Sequence, residues 1–288
     1  MSRILITGAS GFLGTKLFDL YSANPENCVL GTHTSHPFPG SAYLDVTDHN
    51  LVDKLMQSFK PTTVIHTVAL SDPDTCERKK DAAEQTNHIG TKNIVSACRK
   101  IGARLDYIST VYVFDGIQGG YTEDDKPNPI NWYGETKRRA EDEVATLPQF
   151  GIFRFDKLYG YNGIGKPNDD ISKILNGQPF EVNSDQIRQP LFVDDVATAL
   201  QLIQGNSANG VFHLAGPDKL TKYELTKKLA KLFGKEEFVI PIPEKAQLAR
   251  RPKDATLCST KIEEMGMVFT PLATALTKIG KAYKADRK

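Results

Sequence analysis

The chain has 288 residues, 40% of them hydrophobic and 25% charged, which describes a globular protein long enough to bury a substantial core. Thirty-six basic residues against 35 acidic ones leave a net charge of +1, so no strong field recruits nucleic acid or an anionic membrane surface, and small-molecule chemistry is the expectation. Cys28, Cys76, Cys98 and Cys258 are scattered with no Cys-x-x-Cys pair, and no secretory segment or bilayer-length apolar run is evident. Reduced thiols in a cytoplasmic protein are expected.

In chain order, "RILIT" reads as a first strand and "FLGTKLFDLYS" as an amphipathic helix. "CVLGTH" and "AYLDV" follow as strands, then "LVDKLMQSF" as a helix, "TTVIHTVA" as a strand, and one long helical region to about Lys100. "RLDYIST" and "GIFRF" complete a strand–helix alternation of the kind that builds βαβ units. The expected fold class is α/β, a doubly wound parallel sheet of the dinucleotide-binding Rossmann type with a smaller α/β substrate-binding region.

After about Phe155 the chain turns rich in Gly, Pro and Asn through "YGYNGIGKPNDD" and "NGQPFEVNSDQIRQP", which suits a looser, substrate-facing region. A helix beginning near Asp194 and the strand "GVFHLAG" are expected to return to the sheet. "TKYELTKKLAKLFG" then places Leu225, Leu229, Leu232 and Phe233 on one helix face. The division that follows is residues 1–155 plus about 190–215 for the dinucleotide-binding domain, and about 156–189 plus 216–288 for the substrate-binding region.

"GASGFLG" sets Gly8, Gly11 and Gly14 between the first strand and the first helix, with Phe12 and Leu13 in the same turn. Glycines let the backbone turn tightly and approach a pyrophosphate, whose charge the helix N-terminus stabilises. The acidic residue that binds an NAD ribose roughly 20 residues further on has no counterpart in "GTHTSHP". Thr32 and Thr34 offer hydroxyl donors and His33 an imidazole, which favours NADP(H), with NAD(H) as the other candidate.

Strand "RLDYIST" ends in Ser109 and Thr110, and "NWYGETK" sets Tyr133 one helical turn before Lys137. A phenol titrates near ~10, so a neighbouring ammonium is expected to make it a usable acid–base group. The chemistry this suits is carbonyl reduction on a nicotinamide: Thr110 holds the carbonyl oxygen, Tyr133 donates the proton and Lys137 lowers the phenol pKa while binding ribose hydroxyls. A second Tyr-x-x-x-Lys pair, Tyr223 and Lys227, lacks any glycine loop or catalytic strand leading into it and is explained by packing. The six histidines show no ligand spacing and no metal is expected; His66 within "TTVIHTVA" reads as a satisfied core or cofactor-side residue.

On "GASGFLG", "LDVTD", "TNHIGTKNI", "ISTVYVFDG", "YTEDDKPNPINWYGETK", "PLFVDDVA" and "ARRPKDATL", the chain resembles the extended short-chain dehydrogenase/reductases, and within them the dTDP-4-dehydrorhamnose reductases. The resemblance implies Thr110, Tyr133 and Lys137 as the catalytic triad and Gly8, Gly11 and Gly14 as the pyrophosphate loop. It further implies Asp45 and Val46 on the adenine side, Ala69 and Asn87 near the cofactor, and Arg188 and Arg251 on the substrate side. A nucleotide-sugar substrate and a homodimer are family expectations, with no nucleic-acid or membrane partner.

Two departures from the family pattern touch the substrate side. Val111 stands where an aspartate is usual, and Lys157 where a sugar-stacking tryptophan is usual. The leading expectation is therefore an NADPH-dependent reductase of a nucleotide-linked 4-keto-6-deoxy sugar, by default dTDP-4-dehydrorhamnose. An NAD-retaining epimerase or dehydratase is one alternative. The other is a non-catalytic NADP-binding regulatory subunit, since the chain also resembles the regulatory β subunit of methionine adenosyltransferase.

Overall fold

The computed structural model describes residues 2–163, 169–243 and 248–287. Its centre is a seven-stranded sheet whose first six strands are β1 (Ser2–Thr7), β2 (Asn27–His33), β3 (Ser41–Tyr43), β4 (Thr63–His66), β5 (Arg104–Ile108) and β6 (Phe150–Arg154). Short two-residue strands β7 (Leu158–Tyr159), β9 (Ile187–Arg188), β10 (Leu191–Phe192) and β12 (Leu220–Thr221) and four-residue strands β8 (Phe180–Asn183) and β13 (Val239–Ile242) lie outside it, while β11 (Gly210–His213) closes it. The sheet order is β11-β6-β5-β4-β1-β2-β3, and every neighbouring pair is parallel. The doubly wound α/β fold expected from the alternation is thus the fold observed, and "GVFHLAG" does return to the sheet beside β6.

Parallel strands need crossover helices, and these cover both faces. One face carries α1 (Phe12–Ser22) and, later in the chain, the helix Val193–Gly205; Leu13, Leu17, Val196 and Leu200 pack there against Ile4, Ile6 and Ile65. The other face carries α2 (His49–Phe59) and several helices from the region following β4; Val52, Met56, Ile94 and Val144 pack against Leu5, Val64 and Leu105. Strands buried on both faces must be apolar throughout, which is why "RILIT" and "TVIH" lack a polar alternation.

The long helix expected up to Lys100 is not continuous. It is broken into α3 (Pro73–Arg78), α4 (Lys80–Ala83), a π-helical turn over Glu84–Ile89 and α5 (Gly90–Ile101). The break is made by Lys79, whose backbone leaves the helical region at φ −126° and ψ 59°. The strand expected over "AYLDV" also shortens to β3, because Asp45 turns its side chain onto the Thr47 backbone N–H at 2.9 Å and ends the extended run.

The remaining helices are α6 (Trp132–Val144), α7 (Asp169–Asn176), α8 (Val193–Gly205), α9 (Lys222–Lys231), α10 (Thr260–Glu264) and α11 (Leu272–Asp286). A further apolar cluster joins Ile174, Val182, Leu225, Leu229, Val239 and Ile279, with Leu232 and Phe233 packed against it. Helix α9 opens on a reciprocal capping box between Thr221 and Glu224. Part of the Gly- and Pro-rich stretch, residues 164–168, lies outside the described residues. Among the described residues no helix is long and apolar enough to cross a membrane.

Candidate active site

The loop leaving β1 is shaped by its three glycines. Gly8 sits at φ +71°, and a Cβ on it would stand 2.8 Å from Thr67 Oγ1. A Cβ on Gly14 would stand 2.2 Å from the Gly8 carbonyl oxygen, so only glycine lets α1 pack against the loop that precedes it. Gly11 caps α1 without any side-chain acceptor for the first-turn N–H groups of the helix.

A groove of about 210 Å³ runs over this loop and is lined by Gly8, Gly11, Thr32, His33, Thr34 and Ala69, among others. Among the described residues no carboxylate lines it. Thr32 is buried and its Oγ1 accepts from the Gly8 N–H at 3.2 Å, so it braces the glycine turn. His33 Nδ1 is tied to Ser41 Oγ at 2.8 Å.

The groove shares Thr67 and Ala69 with a second cavity of about 390 Å³, beyond the carboxyl ends of the strands. Phe12, Leu13, Thr110, Tyr133 and Lys137 all line it. Local sequence explains their convergence. Asn131 caps α6 by accepting from the Gly134 N–H at 2.8 Å and ties the helix start to the Arg250 carbonyl at 2.8 Å. Gly134 allows the helix to approach the chain after β5, where a Cβ would meet the Tyr112 carbonyl oxygen at 2.0 Å. Thr110 in turn caps the short 3₁₀ turn Val111–Val113, its Oγ1 accepting from the Tyr112 N–H at 3.2 Å.

Burial raises the Tyr133 phenol well above its ordinary range, with the Thr110 hydroxyl acting in the opposite direction. Burial also pushes the Lys137 ammonium down to about 7, with the Glu141 carboxylate one turn further along α6 opposing the shift. The Lys137 Nζ donates to the Ile108 carbonyl at 2.6 Å and lies 4.0 Å above the Tyr107 ring. The expectation that Lys137 is what lowers the Tyr133 phenol therefore needs correction: the group acting downward on Tyr133 is Thr110, because the ammonium is drawn to the end of β5. Direct ammonium–phenol contact occurs instead in the other pair, Lys227 to Tyr223 at 3.1 Å on an exposed helix face.

Lys157, Arg188 and Lys222, with Asp156, also line the cavity. Arg188 donates to Tyr112 Oη at 3.0 Å and Gln186 Oε1 at 2.7 Å, and Asp156 stands 3.4 Å away. Arg251 does not line this cavity; its guanidinium pairs with Asp74 at 3.1 Å and donates to the Ala249 carbonyl at 3.0 Å.

Four other expected site residues, Val111, Asn87, Asp45 and Val46, are used by the scaffold. Val111 is buried against Val113, Phe114 and Leu257 and does not line the cavity. Asn87 is buried and clamps the loop after β4, accepting from the Leu70 N–H at 2.7 Å and donating to Leu70 O at 3.0 Å and Thr136 Oγ1 at 3.1 Å. Asp45 holds its own turn, and Val46 is buried in the apolar core while Leu44 takes the groove position beside them. His66 is a core residue, hydrogen-bonded to Thr7 Oγ1 at 2.6 Å and Thr91 Oγ1 at 3.1 Å.

Residues that motif spacing did not single out also stand here. Ser109 and Lys222 line the cavity, and behind Ser109 lies a buried pair, Glu141 with Arg154 at 2.7 Å. The available signal was Glu141 at four residues past Lys137, on the inward face of the same helix.

The chain matches the family model "RmlD substrate binding domain" over residues 1–284. It is 34% identical over 279 residues to methionine adenosyltransferase 2 subunit beta of Xenopus tropicalis, covering 92% of this chain and 83% of that protein. It is 31% identical over 293 residues to a dTDP-4-keto-6-deoxy-D-glucose reductase of Streptomyces niveus, covering 99% and 98%. The dTDP-4-dehydrorhamnose reductase of Bacillus anthracis, solved in complex with NADP, is similar with a TM-score of 0.85 at 29% identity, covering 96% of this chain and 98% of that one. A family model spanning nearly the whole chain bears out the resemblance read from the motifs: the protein belongs to the RmlD substrate-binding-domain family.

Proposed function

We propose that this protein is an NADP(H)-dependent reductase of the 4-keto group of a nucleotide-linked 6-deoxy sugar, with dTDP-4-dehydrorhamnose as the default substrate. The observation that carries the reading is that Thr110, Tyr133 and Lys137 line one cavity, which adjoins the glycine groove at Thr67 and Ala69. Names of relatives support the same class, including the Streptomyces niveus reductase and the NADP-bound Bacillus anthracis reductase.

The residues present fit a dinucleotide. A helix start capped by glycine alone, a cradle that a Cβ at Gly8 or Gly14 would fill, and a groove without carboxylates suit a pyrophosphate and a 2′-phosphate. In this reading Gly8, Gly11, Phe12, Leu13, Gly14 and Ala69 hold the cofactor's diphosphate and ribose, and Thr32, His33 and Thr34 bound the 2′-phosphate end. When bound, the cofactor supplies the hydride. Thr110 positions the carbonyl oxygen and supports the Tyr133 hydroxyl, Tyr133 gives the carbonyl oxygen a proton, and the Lys137 ammonium binds ribose hydroxyls. Arg188 and Lys157 face the substrate's diphosphate and sugar, Arg188 by the paired N–H geometry that suits phosphate oxygens. The substrate side would be built from residues about 156–189 plus 216–288, the cofactor side from 1–155 plus about 190–215.

A second reading has its own support: the methionine adenosyltransferase 2 subunit beta of Xenopus tropicalis is 34% identical over 279 residues. In that reading the chain is a regulatory subunit that binds the dinucleotide without turning it over. Oxidation of NADPH and NADH against a panel of nucleotide-linked 4-keto sugars separates the two. The reductase reading expects NADPH consumption with at least one of them; binding of NADPH with no consumption by any would overturn it.

A further inference from the structure

Helix α6 grips the end of β5 at two points one turn apart. Lys137 Nζ donates to the Ile108 carbonyl at 2.6 Å, and the Ser109 hydroxyl donates to Glu141 Oε1. The carbonyl of Ile108 and the nitrogen of Ser109 belong to one peptide unit: Lys137 fixes the plane of that unit through its oxygen, and the Ser109 side chain ties the Cα that follows it to Glu141. That plane is held from below as well, since the Ser109 N–H donates to the Phe153 carbonyl at 2.7 Å. The next residue in the chain is Thr110.

Glu141 is itself fixed. Arg154 reaches it through Nε at 3.0 Å and 3.2 Å and through Nη2 at 2.7 Å, and the Arg154 Nη1 lies 3.4 Å from His213 Nε2. Glu141, Arg154 and His213 are all buried. A bidentate pair in that position is rigid and keeps the Glu141 carboxylate turned toward Ser109 at the end of β5.

We propose that Glu141 and Ser109 are positioning residues, which hold the Lys137 ammonium and the Thr110 hydroxyl in register across the cavity. The inference rests on the assignment of Lys137 to the cofactor ribose made above. Among the described residues, the groups around Lys137 are Tyr107 from β5, His66 from β4, Glu141 from its own helix and Tyr133, which lines the same cavity, with Arg154 of β6 and His213 of β11 behind Glu141. His66 stays neutral well below neutral pH because burial and Lys137 oppose its protonation. Glu141 is the only carboxylate acting upward on the Lys137 titration among the described residues.

The test is NADPH affinity, read by fluorescence titration across the Lys137 titration near pH 7, on the wild-type protein, Glu141→Gln, Glu141→Asp and Ser109→Ala, with turnover and thermal melting in parallel. Wild-type affinity should weaken as pH rises and the ammonium is lost. In Glu141→Gln the midpoint of that loss should move down by about one pH unit, and Glu141→Asp should restore most of it. Ser109→Ala should leave the midpoint nearly in place and lower kcat by roughly tenfold with KM little changed. Folded Glu141→Gln with a wild-type midpoint overturns the proposal. If Glu141→Gln does not fold, Ser109→Ala decides, and wild-type kcat in that variant overturns it. Wild-type protein that binds no NADPH at any pH removes the cofactor reading and this proposal together, whereas binding with an unmoved midpoint removes the proposal alone.

Discussion

Lys137 stands one helical turn beyond Tyr133, yet its ammonium lies 2.6 Å from the Ile108 carbonyl and 4.0 Å above the Tyr107 ring instead of on the Tyr133 phenol. An ammonium so placed still lines the cavity, while the phenol is left to Thr110. In the proposed reading, proton donation and cofactor binding are therefore separable functions of neighbouring side chains.

Tyr133→Phe removes the hydroxyl and leaves the ring that packs edge-on against Tyr112 at 5.6 Å between centroids. Turnover should fall by roughly 10²–10⁴-fold, the usual range for loss of a general acid. NADPH affinity should change little. Stopped NADPH oxidation with retained fluorescence binding checks both halves, and unchanged turnover would remove Tyr133 from the chemistry.

Gly14→Ala places a methyl group 2.2 Å from the Gly8 carbonyl oxygen, which is backbone and cannot swing aside. The helix must shift away from the loop, with a stability loss of about 1–3 kcal/mol, as for other overpacked sites. Denaturant melts measure the stability term. NADPH affinity should fall in the same variant, because the helix start and the loop then separate.

Thr34→Asp puts a carboxylate into a groove that has none. A 2′-phosphate would be repelled, whereas a ribose 2′-hydroxyl would gain an acceptor. NADPH affinity should drop by about tenfold or more while NADH affinity holds or improves. Parallel titrations with the two cofactors give the ratio, and an unchanged ratio would place the 2′-phosphate elsewhere.

His66 and His213 are buried and stay neutral down to about 3. In the unfolded chain each imidazole takes a proton near its ordinary value of 6.5. The unfolded state thus binds more protons between those limits, and stability should fall as pH drops from about 6.5 toward 3, by up to ~1.4 kcal/mol per pH unit for each histidine. Melting temperature against pH for wild type and His66→Asn checks this; the variant should show a shallower slope over that window. Equal slopes would mean that His66 is not what limits acid stability.

Much of the fold was legible in local pattern. "RILIT" followed by "GASGFLG" and an amphipathic helix announces a strand, a turn that only glycines can make and a helix start, because each depends on neighbouring residues alone. The spacing of Tyr133 and Lys137 was legible for the same reason: four residues on a helix share a face whatever surrounds them. Contacts between distant strands carry no such local mark. That Asn87 braces Leu70, that Val111 sinks into an apolar cluster and that Arg251 pairs with Asp74 follow from which strands and loops become neighbours, which only sheet order and burial decide. The Lys137 ammonium is the sharpest case: sequence set it beside Tyr133, and the packing of α6 onto the end of β5 turned it to Ile108, because a buried charge moves to whatever oxygen can satisfy it.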